Sequence, residues 1–170
     1  PVKAFDLVHV RYGEKSEDVR LWLGEAKFYK DRDDAIAEAI SSILFHIDRG
    51  FLKNEKLLLG PQVSSDLPHS DKLKELLSSE VSLDKLISHA VFPVLIAANS
   101  DATPQHQAQS QGYFDKVAKE LGQLWSKLQK SGLQSQISIF LIYVPLGCKD
   151  SLSKAFDVRL KGLQGRESAG

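Results

Sequence analysis

Cysteine occurs once, at Cys148, and methionine not at all. A single thiol excludes a disulfide framework and a thiolate zinc centre, and it points to a reducing, cytoplasmic setting. Net formal charge is also missing, because 22 basic residues are matched by 22 acidic ones. That balance argues against a broadly cationic coat for nucleic acid but is compatible with a local basic groove or a partner that supplies the binding surface. Long apolar runs are absent too. The longest, residues 90–98 and 137–144, fall short of the ~20 residues that span a bilayer, so no membrane association is expected. The opening Pro1-Val2-Lys3-Ala4 lacks the marks of a secretory signal. With no initiator methionine and a first strand beginning within a few residues, further N-terminal material is expected upstream.

What is present suits one ordinary domain over residues 1–170, with 42% hydrophobic residues to build a core. Phe5 to Tyr12 and Val19 to Tyr29 read as strands joined by a short polar turn, and therefore antiparallel. Asp31 to Asp34 offers N-cap candidates, and Ile36, Ile40, Ile43, Leu44 and Ile47 follow at helical spacing. Residues 51–89 read as a helical insert with two short helices, each opened by a serine, at Ser70 and Ser82. Ala90 to Ala98 reads as a buried strand that Pro93 weakens or moves to an edge. Residues 99–111 read as an extended polar loop. A helix through Phe114, Leu121, Trp125 and Leu128 stops at Gly132. A strand to Val144 and a closing helix from Asp150 follow, and residues 162–170 are expected to fray. The expected fold class is α/β: a mixed sheet flanked by helices, with its last two strands parallel.

The segment that carries chemistry is Leu21-Trp22-Leu23-Gly24-Glu25-Ala26-Lys27, with Asp6 on the strand before it. Alternate side chains of a strand share a face, so Glu25 and Lys27 project together. If the Asp6 segment pairs alongside, two carboxylates and one ammonium meet at one spot. Asp6, Glu25 and the carbonyl of Ala26 then suit an octahedral, oxygen-seeking cation such as Mg²⁺, with Mn²⁺ as the substitute. Lys27 can orient or deprotonate a water, or neutralise developing charge. The ordinary alternative is a solvated charge pair on an edge strand.

Asp on one strand, Glu-x-Lys on the next, then a helix resembles the PD-(D/E)xK, restriction-endonuclease-like nuclease core. More closely, Phe5-Asp6-Leu7-Val8-His9 with Leu21 to Tyr29 resembles the nuclease subunits of the Hachiman anti-phage defence system, most closely over residues 5–50. The resemblance implies a metal-dependent DNase in which Asp6 and Glu25 bind metal and Lys27 completes the site, working beside a superfamily 2 helicase subunit. Related nucleases place polar residues of the following helix near substrate, which makes His46 a candidate DNA contact. Tyr29 is a second candidate, since it shares the face of Glu25 and Lys27. For both, ordinary packing at the sheet edge is the competing reading. The competing reading of the whole chain is a non-catalytic module of nuclease fold that docks a helicase or nucleic acid. Arg11, Arg20, Lys30 and Arg32 cluster near the strand ends, but Glu14, Glu17, Asp31 and Asp33 match them.

Overall fold

In a computed structural model, residues 5–48, 51–105 and 110–167 are described. Four strands form one sheet in the order β1 (Leu7–Arg11), β2 (Arg20–Tyr29), β3 (Ala90–Asn99) and β4 (Ser138–Leu146). β1 and β2 run antiparallel, while β2, β3 and β4 run parallel. The α/β expectation and the parallel pairing of the last two strands both hold.

The long helix α1 (Arg32–Asp48) follows β2 directly. Asp31 caps it, its Oδ1 accepting from the Asp33 N–H at 2.7 Å and the Asp34 N–H at 3.0 Å. Those bonds, with the Arg32 and Lys127 charges, hold the Asp31 carboxyl below its ordinary value. Ala35, Ile36, Ala39 and Ile43 lie buried on one side of α1, at the spacing of a single helix face. They cover the side of the sheet that carries Leu21, Leu23, Phe92, Val94 and Ile96. Helix α6 (Gln111–Lys130), opened by Ser110 accepting from the Tyr113 N–H at 3.2 Å, adds Leu124 and Leu128. It ends before Gly132, whose φ of 75° is the left-handed turn that glycine tolerates.

Between α1 and β3 lie α2 (Phe51–Leu59), α3 (Ser70–Leu77) and α4 (Leu83–Ser88). α2 is a helix that the sequence pattern did not reveal, because Leu57-Leu58-Leu59 masks its periodicity. Ser82 caps α4 as expected, accepting from the Lys85 N–H at 3.3 Å. Ser70 does not cap α3; His69 takes that place with φ 52° and no side-chain cap. Residues 99–111 are not simply extended, since they contain the short helix α5 (Ala102–Gln105); residues 106–109 lie outside the described residues.

Pro93 sits in a central strand, not at an edge. The β2–β3 register matches Leu21–Trp22 with Ala90–Val91 and resumes at Glu25 with Val94. Gly24 stands opposite Pro93 in the gap. A Cβ on Gly24 would lie 3.0 Å from Leu7 Cβ and 3.3 Å from Pro93 Cγ, so the glycine admits both neighbours. A ladder already interrupted there does not miss the proline N–H.

Helix α7 (Lys149–Glu167) begins one residue before the expected start and stays helical past Gly162, where fraying was expected; residues 168–170 lie outside the described residues. It does not close the sheet, because Phe156, Val158, Leu160 and Leu163 remain exposed. Its start is pinned by the Lys149 N–H donating to Asn99 Oδ1 at 2.7 Å and by Lys30 to Asp150 at 2.6 Å. Among the described residues no helix is long and apolar enough to cross a membrane.

Candidate functional site

The site is built where β1 has ended and β2 continues. Leu7 opposite Gly24 is the last pair of their ladder. Asp6 lies one residue beyond, in a bend, and its Oδ2 accepts the Ala26 N–H at 2.8 Å. In an extended strand the N–H and C=O of one residue leave on the same edge. The Ala26 carbonyl therefore lies on the open edge that Asp6 occupies.

Glu25 and Lys27 share the helix-covered face of β2. Glu25 is only 4% exposed, and its Oε1 lies 2.5 Å from Lys27 Nζ. Burial alone would lower the Lys27 pKa. The contact with Glu25, and the charges of Glu25, Asp6 and Glu38, outweigh it and hold the pKa above its ordinary 10.5. Lys27 is therefore an ammonium in this arrangement, not the neutral amine that a base requires. Asp6 thus reaches Ala26 by a hydrogen bond, Glu25 reaches Lys27 by an ion pair, and the Asp6 charge is felt at Lys27.

Two acidic residues near this cluster escaped the sequence reading. Glu38 on α1 adds negative potential at Lys27. Glu55 on α2 is 8% exposed, and its Oε1 accepts the Phe5 N–H at 3.1 Å. Burial pushes the Glu55 carboxyl up, the Phe5 N–H opposes this, and the charge of Glu25 pushes it further up. The only sequence signal for Glu55 was an acid among buried Leu52 and Lys56, legible once α2 is known to be a helix.

His46 is 1% exposed and stacks on the Phe5 ring, with centroids 4.3 Å apart. Its surface goes to packing, which leaves none for the expected DNA contact. Tyr29 also packs against the core, and Lys149 Nζ lies 5.8 Å from its ring centre. Arg32 is committed to Glu120 at 3.0 Å and Asp101 at 3.6 Å, and Lys30 to Asp150, so this part of the basic cluster is internally paired.

The possible metal donors here are carboxylate and carbonyl oxygens, which suit a hard cation, although the Lys27 ammonium already holds Glu25. Among the described residues no group of three or more His, Cys, Asp or Glu side chains has metal-holding geometry. Asp6 and Glu25 are the two carboxylates that a cation could meet here. Backbone and water would supply the rest, a division that suits Mg²⁺ better than Ca²⁺ or Zn²⁺.

No curated protein and no solved structure matches the chain. The model of one protein family, HamA, matches residues 1–160. On that match, following strands and helices that present Asp6, Glu25 and Lys27 together, the chain belongs to the HamA family, and its role lies in Hachiman anti-phage defence.

Proposed function

We propose that this chain is a Mg²⁺-dependent DNA nuclease of restriction-endonuclease-like, PD-(D/E)xK type, acting in Hachiman defence beside a helicase subunit. The observation that carries the reading is the 2.8 Å bond from the Ala26 N–H to Asp6. It brings a second carboxylate, from 20 residues away, to the Glu25–Lys27 pair.

Asp6, Glu25 and the Ala26 carbonyl would hold the cation. When bound, that cation supplies charge stabilisation at the scissile phosphate and an acidified water. Lys27 keeps its proton and presents an ammonium beside the site. There it neutralises the negative charge that grows on the phosphoryl oxygens as the P–O ester bond breaks. Glu25 is nearly buried and paired with Lys27, so the two charges meet an entering group together.

A second reading is kept because Lys27 already satisfies Glu25 and because no third acidic or histidine side chain completes a metal cluster among the described residues. In that reading the fold docks a helicase or nucleic acid without cutting.

The test is DNA cleavage by the chain with its Hachiman partner. Glu25→Ala with Lys27→Ala is expected to lower Mg²⁺-dependent cleavage by at least about a hundredfold, with fold and partner binding retained. Cleavage at the wild-type rate by a folded double variant would overturn the nuclease reading in favour of the docking module.

A further inference from the structure

Asp6 lies past the last ladder pair, so the β1–β2 hydrogen bonds do not fix its position. The residue before it is what holds the bend. The Phe5 ring is 6% exposed and wedged between His46, 4.3 Å away, and Phe92, 5.9 Å away. The Phe5 N–H donates to Glu55 Oε1 across 50 residues of chain. Glu55 is the polar group that helix α2 contributes to this anchor.

The choice of a carboxylate at this depth is informative. Glu55 Oε2 is buried with no hydrogen-bond partner. A half-satisfied buried acid is a costly way to hold one N–H, and an apolar residue would fill the same space more cheaply. Packing alone does not select it.

We propose that Glu55 is a positioning residue of the Asp6–Glu25–Lys27 site: its carboxylate holds the Phe5 N–H and thereby fixes the bend that delivers Asp6 to Ala26. The inference rests on the reading of Asp6 as a working member of that site, but its geometric core is independent of cleavage. The charge of Glu55 also bears on Glu25, but its one hydrogen bond goes to Phe5. It acts through Phe5.

The experiment follows amide hydrogen exchange in the full chain at Ala26, whose N–H is protected by Asp6. Asp6→Ala sets the rate without that acceptor. Glu55→Leu should speed Ala26 exchange at least about tenfold, with the core amides of Val94 and Ile96 unchanged. Glu55→Gln keeps an acceptor oxygen and should stay within about threefold of wild type. If Leu leaves too little folded chain, Glu55→Met takes its place. Ala26 exchange at the wild-type rate in a folded Leu or Met variant overturns the inference. So does exchange in Glu55→Gln as fast as in Asp6→Ala.

A second readout is the Mg²⁺ concentration giving half-maximal cleavage. It should rise about tenfold in Glu55→Leu and return near wild type in Glu55→Gln. A purely structural role would lower the amount of active protein and leave that midpoint in place. Absence of any Mg²⁺-dependent cleavage in the wild type would defeat the nuclease reading and leave the exchange result to decide the role of Glu55.

Discussion

Lys27 and Glu25 are the pair on which the proposed chemistry turns, and their energetics follow from burial. Glu25 is 4% exposed, and the Lys27 ammonium 2.5 Å away is its ion-pair partner. Lys27→Met leaves Glu25 buried and unpaired, and should cost about 3 kcal/mol in denaturant unfolding. Adding Glu25→Gln should recover much of that loss, because the stranded charge is gone. The pH dependence has a definite sign. The Lys27 pKa is raised in the folded chain, so the pair's stabilisation is complete below the ordinary lysine value of 10.5 and is lost as pH rises through the higher folded value. Wild-type stability should therefore fall above pH ~10.5 by more than that of the double variant. Equal alkaline loss in both would contradict the assignment. These residues were legible in the sequence because strand alternation is a local rule. Glu55 was not, because its partner Phe5 is 50 residues away and only the packed helix brings the two together.

At the scale of elements, the sheet is held to its helices by a buried polar knot at the far ends of the strands. Glu120 of α6, 1% exposed, accepts from Ser100 Oγ at 2.6 Å, Tyr143 OH at 3.0 Å and the Asp101 N–H at 3.1 Å, and pairs with Arg32 of α1. Burial and then contact with Glu120 push the Tyr143 phenol up to about 12. Glu120→Ala strips four groups of their partner at once and should cost about 3 kcal/mol or more. In a spectroscopic alkaline titration, the phenol that ionises near 12 should move down toward 10 in this variant. A titration unchanged by the substitution would show that burial alone sets it. Helix α1 and its cap could be read from Asp31 and the isoleucine spacing. The central place of Pro93 could not, since it depends on Gly24 of another strand giving way. The independence of α7 was equally hidden: its apolar residues predict packing, yet the chain leaves them facing solvent.

The whole molecule presents two unlike faces of one sheet. One is covered by α1 and α6 and carries the Glu25–Lys27 pair near its edge. The other carries Phe28, Phe140, Ile142 and Val144, each at least 36% exposed. Beside β4, a groove of about 470 Å³ lies between Leu121 and Trp125 of α6 and Phe140. An apolar surface of this extent is unusual for a chain that acts alone, and it accords with membership of a multi-component defence system. The absence of net charge bears on the proposed nuclease reading, which then requires any DNA affinity to come from a few local contacts or from a partner. The sequence disclosed the charge balance and the fold class. It did not disclose the bare face, because apolar strand residues look alike whether a helix covers them or not.

The central claim is that Asp6 and Glu25 form one cation site, and the most direct measurement is anomalous diffraction from crystals of the chain soaked in millimolar Mn²⁺. A single strong peak is expected within about 2.0–2.4 Å of a carboxylate oxygen of both Asp6 and Glu25, with the Ala26 carbonyl as a third neighbour. No peak there, or a peak bound by only one of the two carboxylates, would contradict that claim.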